Sequence, residues 1–258
     1  MRVELISLRN GITKKKRLNV VSDAINKSKS DLVLFCGHSV FDWNDCVELS
    51  EKLVNKDSIV LFEAKKVDES TFLMRKNCLF RIEQGRLVNM FTNQFFASSK
   101  EIEGNELLCE HFIDELENKR CFRVKSKKCL ALQCGEINII KNIQKESNRS
   151  VFRLQNRTDL EKRFFDLLNN TDLILNPIHT PMGNQGKMET RRELLSFSKR
   201  YYFSTSNSDE KHLIDSASLQ FSFYDGARLN ETTKEINKDT QIRFFDIDRN
   251  LNAIVVVR

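Results

Sequence analysis

KCLALQCGEI, residues 128–137, is the most informative segment of this chain. Its apolar residues run up to Cys134, and Gly135 follows directly, which is typical of a buried strand that ends in a tight turn. Such a strand presents the thiol at its tip. A similar strand end follows at residues 171–181, TDLILNPIHTP. Two buried strands that end in polar loops can place a nucleophile beside the wall of a pocket.

Length and charge limit the possible functions. The chain has 258 residues, of which 40% are apolar, enough for one large domain or two small ones with a real core. Its 42 Lys and Arg against 36 Asp and Glu give a net charge of +6. The basic residues cluster only at positions 14–17 and 125–128. A nucleic-acid partner is therefore not expected, because such binding needs a clustered basic face.

Neither a cofactor nor a membrane segment is indicated. The seven cysteines include no CxxC pair, and neither metal-ligand spacing nor a glycine-rich phosphate loop occurs, so we expect no metal or other cofactor. The N-terminus is charged and lacks a signal-peptide core, and no apolar run approaches the roughly 18 residues that span a bilayer. We expect a cytoplasmic protein with reduced thiols and no membrane contact.

The order of elements indicates an α/β protein. Strands at residues 3–8, 31–36 and 58–63 alternate with helices at 16–27 and 45–53, which predicts parallel strands joined by crossover helices. No Pro- or Gly-rich linker divides the chain, so residues 1–258 are predicted to form a single domain with two sheets between helix layers. The remaining predictions are hairpins at 77–91 and 219–229, helices at 106–118, 157–169 and 189–199, strands at 129–134, 172–176, 201–206, 241–247 and 253–257, and surface loops at 141–150 and 230–239.

Several of these segments resemble the carbon–nitrogen hydrolase (nitrilase) superfamily. Residues 30–35 look like the strand that leads to its catalytic glutamate, and the hairpin at Gly85 looks like the one before its catalytic lysine. Residues 129–136 are similar to its nucleophile elbow, and residues 172–177 to the strand that follows. Residues 218–229 and 240–248 resemble its closing hairpin and last core strand. The resemblance implies an α-β-β-α sandwich of two mixed sheets flanked by helices, and a homo-oligomer, with a dimer as the default.

The family's chemistry uses three side chains. A cysteine thiolate attacks an amide or nitrile carbon, a glutamate takes the thiol proton and activates water, and a lysine and a backbone N–H stabilise the developing charge. Cys134 matches the cysteine, and Gly135 supplies the backbone behind it. The glutamate is expected just after Phe35, where Gly37 stands, and the lysine at about Asn93. Both diagnostic charges are therefore missing from their expected positions.

Other residues are candidates for the missing roles. Glu63, at a neighbouring strand end, can bring a carboxylate near the vacant position, although a solvated strand end is the plainer interpretation. Lys100 can act as an oxyanion partner or be a surface lysine. His38 can replace the base or be an ordinary loop histidine. The predicted catalytic residues are Cys134, Glu63 and Lys100, and the predicted substrate-binding residues are His38, Gly135, Glu136 and His179.

Two functions remain open from the sequence. One is a thiol hydrolase or acyltransferase that acts on a small amide through a thioester at Cys134. The alternative is a catalytically degenerate protein of the same fold that serves as a binding or regulatory module. A weaker third hypothesis is nucleic-acid binding through basic loops. The groups around the Cys134 sulfur separate the first two, because a hydrolase needs a base and a charge-stabilising group there.

Overall fold

A computed structural model describes residues 1–68, 74–143, 149–182, 185–229 and 233–247. In them the strands are β1 Arg2–Leu8, β2 Leu32–Phe35, β3 Ile59–Asp68, β4 Met74–Glu83, β5 Arg86–Asn93, β6 Cys121–Val124, β7 Lys127–Ala131, β8 Ile140–Ile143, β9 Arg149–Phe152, β10 Leu173–Ile178, β11 Tyr201–Ser206, β12 Gln220–Tyr224, β13 Ala227–Arg228, β14 Thr233–Ile236 and β15 Thr240–Asp246. The helices are α1 Lys14–Lys27, α2 Trp43–Lys52, α3 Ser99–Ile102, α4 Glu106–Lys119, α5 Thr158–Asn169 and α6 Gln185–Ser196, with 3-10 helices at Cys134–Ile139 and Ala217–Leu219.

The strands form two main mixed sheets. The first has the order β14-β15-β1-β2-β3-β4-β5, with β1, β2 and β3 parallel to one another. The second has the order β13-β12-β11-β10-β7-β6, with β7, β10 and β11 parallel. Strands β8 and β9 pair separately. The central parallel strands are buried along their length, as their continuous apolar sequence predicts.

Three buried apolar clusters define four layers. The cluster between the sheets joins residues such as Leu34 and Leu61 of the first sheet to Leu175 and Phe203 of the second. A second cluster packs α1 and α2 on the outer face of the first sheet. A third packs α4, α5 and α6 on the outer face of the second sheet. The predicted α-β-β-α sandwich of two mixed sheets flanked by helices is thus confirmed.

Local signals explain several element boundaries. Helix α1 begins after Thr13, whose side chain accepts a hydrogen bond from the Lys16 backbone N–H. Both predicted hairpins turn at a residue pair with positive φ, at Gln84-Gly85 and at Asp225-Gly226. Such pairs match the right-handed twist of the flanking strands.

The sequence predictions were wrong in short polar segments. The strand predicted to reach Cys134 ends at Ala131, and Cys134 begins a 3-10 helix instead. The segments predicted as loops contain β8, β9 and β14, and β6 was not predicted. These strands are short and carry polar residues, so they show no clear alternation. The predicted strand at 253–257 lies outside the described residues. In the part of the chain that the structure describes, no helix is long and apolar enough to cross a membrane.

Candidate functional site

The candidate site lies where the parallel strands of both sheets end. Strand β2 ends at Phe35 and leads into Gly37 and His38, while its longer neighbour β3 continues past it and carries Glu63. In the second sheet, β7 leads to Cys134 and β10 leads to His179. Because the carboxyl ends of parallel strands meet at one edge of a sheet, loops from both sheets converge at this point.

Cys134 is half-buried at the start of the 3-10 helix Cys134–Ile139. The chain leaves β7 through Leu132, whose N–H still bonds to the Leu175 carbonyl oxygen at 2.9 Å. Gly135 passes so close to the backbone of Ala97 that a methyl group there would overlap it. Glycine at 135 is therefore required by this close approach, which fixes the turn behind the thiol.

The Glu136 carboxylate stabilises the turn at Cys134 through hydrogen bonds. It is fully buried and pairs with the fully buried Arg120, whose Nη1 lies 2.9 Å from Oε2. The same carboxylate accepts the backbone N–H groups of Gln133 and Phe95 at 2.7 and 2.9 Å. Because protein donors occupy both of its oxygens, the predicted role of Glu136 in substrate binding would require one of these bonds to break.

Glu63 is fully buried and receives three donors. Its Oε1 accepts the His179 Nε2–H at 2.6 Å and the backbone N–H of His38 at 3.0 Å, and its Oε2 accepts the Gln133 side-chain amide at 2.8 Å. Burial alone would raise the pKa of Glu63, but the hydrogen bonds from His179 and Gln133 and the positive charge of His179 lower it. The carboxylate is therefore ionised and can stabilise an imidazolium beside it.

His179 links this carboxylate to the thiol. Its Nε2 bonds to Glu63 Oε1 at 2.6 Å, and its ring also interacts with the Cys134 thiol. Burial would lower the pKa of His179, but its interactions with Cys134 and Glu63 raise it to about 10. Since Nε2 bonds to Glu63, Nδ1 is the ring nitrogen that remains for the thiol. The result is a thiol, imidazole and carboxylate in sequence, which is an arrangement that activates nucleophiles.

The absence of a side chain at Gly37 makes room for this histidine. A methyl group on Gly37 would overlap the His179 Cδ2 atom and lie 3.1 Å from the His179 nitrogen and the Ile178 carbonyl carbon. The imidazole therefore occupies the space into which a glutamate at position 37 would project. The His179 imidazole, from the loop after β10, thus fills the space of the side chain expected after β2.

His38 stacks on His179 with ring centroids 3.8 Å apart and planes 15° apart. A chain of side-chain amides fixes its tautomer. The Phe96 carbonyl oxygen can only accept, so Gln94 donates to it, Asn77 donates to Gln94, and the Asn77 oxygen accepts from His38 Nε2 at 2.8 Å. Nε2 therefore carries the proton. Burial is the main cause that lowers the pKa of His38, so the ring is neutral at neutral pH.

His38, Glu63 and His179 also place possible metal-ligand atoms within 4.8 Å of one another, a grouping that sequence spacing did not reveal. The two stacked ring planes are nearly parallel, so the lone pairs of the two rings lie in separate planes. An ion about 2.0–2.1 Å from a nitrogen of each ring would lie far out of both ring planes, which is poor geometry for imidazole ligands. In this arrangement, one ring must turn away before both can bind the same ion.

Lys100 is the remaining predicted residue. It is exposed on α3, a helix that packs against the 3-10 helix of Cys134, but none of its described contacts connects it to Cys134, Glu63 or His179. Asn93, at the expected lysine position, accepts a hydrogen bond from the Cys78 thiol on its side chain and one from Arg120 on its backbone carbonyl.

Sequence reasoning missed Gln133, Arg120 and Asn207, which hold the site. Gln133 follows an apolar run, and a polar residue in that place is a usable signal, whereas Asn207 follows the polar end of β11 and is not marked in this way. Nothing in the local sequence distinguishes Arg120.

Comparisons with known proteins agree on the fold. A glutamine-dependent NAD(+) synthetase from Cytophaga hutchinsonii superposes with a TM-score of 0.60 at 11% identity, and the match covers 95% of this chain but only 43% of that one. A mutant amidase from Nesterenkonia sp. AN1, which carries the acetamide moiety of fluoroacetamide on its active-site cysteine, gives 0.58 at 9% identity, covering 95% and 90%.

XC1258 from Xanthomonas campestris, a CN-hydrolase superfamily protein with an arsenic adduct in its active site, gives a TM-score of 0.51 at 8% identity, covering 96% of this chain and 92% of that one. No protein-family model and no curated protein matches the sequence. At these identities the likeness establishes the fold, and the chain has the fold of the carbon–nitrogen hydrolases, as the sequence resemblance predicts.

Proposed function

We propose that this protein is a thiol-dependent hydrolase or acyltransferase that cleaves the C–N bond of a small amide through a thioester at Cys134. The observation that carries the proposal is the buried Glu63 carboxylate, which bonds to His179 Nε2 at 2.6 Å while the same imidazole interacts with the Cys134 thiol. A solvated strand end or an ordinary loop histidine would not require a buried carboxylate bonded to an imidazole. The fold is also that of a known amidase, which supports an amide as the substrate class.

The reaction follows from these three groups. An imidazolium at His179 favours the thiolate form of Cys134, and the thiolate attacks the carbonyl carbon to form a C–S bond while the carbonyl π electrons move onto oxygen. When the intermediate collapses, the C–N bond breaks and His179 donates its proton to the leaving nitrogen. The products of this half-reaction are a free amine or ammonia and a thioester at Cys134.

The second half-reaction regenerates the thiol site. Neutral His179, oriented by Glu63, takes a proton from water or from an amine acceptor as that acceptor attacks the thioester. The C–S bond then breaks, and the thiolate returns beside the imidazolium. The backbone N–H of Gly135 lies at the start of a 3-10 helix, where N–H groups lack helical partners, and it is our candidate donor to the oxyanion.

Covalent labelling by fluoroacetamide tests the nucleophile. Among the other cysteines, burial raises the pKa of Cys36, Cys109 and Cys129 to about 12, so Cys121 is the exposed thiol that serves as an internal reference. Desolvation is also the main cause that raises the pKa of Cys121. We expect peptide mass spectrometry at neutral pH to find the adduct on Cys134 well before Cys121. His179→Gln should abolish this preference, and Cys121→Ser should leave the labelling rate of Cys134 unchanged.

Turnover is tested with primary amides of increasing chain length, by measuring ammonia release with and without an added amine acceptor. Cys134→Ser should remove the release. The second candidate, a degenerate binding module, is favoured by the neutral Asn93 at the expected lysine position. Labelling of Cys134 no faster than of Cys121, with no ammonia released from any amide, would support that module and refute the hydrolase.

A further inference from the structure

Asn207, directly after β11, uses its whole side chain to join the loops of the candidate site. Its Nδ2 donates to the carbonyl oxygens of Gly37 and His179, at 2.7 and 2.8 Å. Its Oδ1 accepts from Arg17 Nη1 at 2.9 Å and from the Cys36 thiol at 3.2 Å. One buried amide therefore connects the loop after β2 to the loop after β10, and these loops belong to different sheets.

Arg17 extends the same connection from helix α1. Its Nη1 also donates to the His38 carbonyl oxygen at 3.0 Å, and its Nη2 donates to the Arg9 carbonyl oxygen at 3.1 Å. The side chain is buried, and its described acceptors are neutral oxygens. Its buried Nε has no hydrogen-bond partner among the described residues. A buried guanidinium held this way costs stability, so its presence at these loops favours a role other than stabilising the fold.

The positions of the His38 and His179 side chains depend on how the main chain of these two loops is held. His38 adopts a φ of +55°, which is uncommon for a residue with a side chain. His179 lies just beyond the last residue of β10. A small movement of either main chain would separate His179 Nε2 from the Glu63 oxygen, now at 2.6 Å.

We propose that Asn207 and Arg17 are positioning residues of the thiol site, which fix the main chain at positions 37, 38 and 179 so that the His179 imidazole lies between Glu63 and Cys134. The inference rests on the proposed function for its catalytic meaning. Neither residue takes part in the bond-making steps. Their contribution is to keep the imidazole at a distance at which Glu63 can hold it charged.

The test compares Asn207→Asp with Asn55→Asp. Aspartate at 207 keeps the acceptor for Arg17 but loses both N–H donors and faces two carbonyl oxygens. Asn55 is a matched control at the amino end of β3, where its Nδ2 also donates to two backbone carbonyl oxygens, those of Ile25 and Ser28 at 2.8 and 3.0 Å. Both variants should lose stability. If Asn207→Asp folds poorly, Arg17→Lys keeps the charge but loses the fork that reaches the three acceptors on Asn207, His38 and Arg9.

Two readouts separate the positioning role of Asn207 and Arg17 from the proposed function. The first is the NMR titration of His179, assigned among the four histidines by single substitutions. The second is the rate of fluoroacetamide labelling at Cys134 relative to Cys121. The carboxylate added in Asn207→Asp would by itself raise the pKa of His179, so the fall toward 6.5 that we expect can come only from displacement of the imidazole from Glu63. Cys134 labelling should slow by about tenfold or more, the effect of losing one hydrogen bond to a charged group. Asn55→Asp should change neither readout.

An unchanged His179 titration in both Asn207→Asp and Arg17→Lys, with a loss of stability like that of Asn55→Asp, would overturn the positioning role. Preferential labelling of Cys134 in the wild-type protein tests the proposed function separately. If that labelling is absent while the pKa of His179 still falls in Asn207→Asp, the hydrolase proposal fails and the positioning role of Asn207 and Arg17 stands.

Discussion

Replacing Gly37 with alanine adds one methyl group at the point where the chain departs most from the family pattern. Gly37 does not have a positive φ, so its backbone accepts alanine. The perturbation is therefore steric. The methyl group would overlap the His179 ring and would lie 3.1 Å from the backbone of His179 and Ile178. Of these neighbours, the imidazole side chain is the one that can move.

The size of the effect follows from the contacts. Carbon atoms in contact lie about 3.5–4.0 Å apart, so the ring must move by roughly 1 Å or more. A shift of this size stretches the 2.6 Å bond from His179 to Glu63 beyond a normal hydrogen bond. A hydrogen bond to a charged group contributes about 1.5–3 kcal/mol, so Cys134 reactivity should fall about 10- to 150-fold. The cost to global stability should be about 1–3 kcal/mol, typical of overpacking.

The assay is the rate of fluoroacetamide labelling at Cys134 at neutral pH, with Cys121 as the internal reference. Gly11→Ala is the matched control. Gly11 has a φ of +77° and open space around its Cα, so alanine strains the backbone there without touching His179. A wild-type labelling rate at Cys134 in Gly37→Ala would refute the idea that His179 occupies the space of the missing side chain. Gly37→Glu, which restores the family's expected residue, should lower the rate further.

Three other changes test the electrostatics. Glu63→Gln keeps the shape but removes the charge that helps to raise the pKa of His179, so this pKa should fall from about 10 by NMR titration; an unchanged value would contradict the assignment. Glu136→Gln leaves the buried Arg120 without its counter-charge, so the free energy of unfolding measured in urea should fall by about 3–5 kcal/mol. The control is Glu48→Gln, in the exposed pair of Glu48 with Lys52, which should cost about 0.5 kcal/mol or less. Burial lowers the pKa of His38 below 6.5, so the unfolded chain binds a proton there that the folded chain does not. The free energy of unfolding should therefore fall as the pH drops through 6.5. In His38→Gln it should fall less steeply. An equal slope in both proteins would argue against a buried neutral His38.

The fold could be predicted because its signals are local. The central strands are continuous apolar runs, and the hairpins turn at residue pairs that accept positive φ. The boundary error at Cys134 has a physical cause. The apolar run extends to Leu132, but strand β7 ends at Ala131 and the capping interactions of Gln133 and Glu136 start a 3-10 helix. Side-chain capping is decided by a few hydrogen bonds, which periodicity does not report.

The candidate site was only partly predictable because its members come from different strand ends. Glu63, Cys134 and His179 are separated by 71 and 45 residues along the chain, so no spacing motif joins them. Their proximity depends on which strands are neighbours and how the two sheets face each other. Gln133 follows the apolar run that ends at Leu132, and Asn207 follows the buried strand β11; both prove to be bound to site residues. A polar side chain at such an end is therefore a better guide than the presence of a family residue at its expected position.

The charges explain how the proposed chemistry can proceed without the family's glutamate and lysine positions. The family pattern combines a carboxylate, an ammonium and a thiolate, with a net charge of −1. In the proposed mechanism, Glu63, His179 and Cys134 combine a carboxylate, an imidazolium and a thiolate, which gives the same net charge. One imidazolium supplies both the positive charge and the transferable proton. Neither Gly37 nor Asn93 then needs to be charged, because a carboxylate at 37 would compete with Glu63 for the same cation, and a lysine at 93 would repel it.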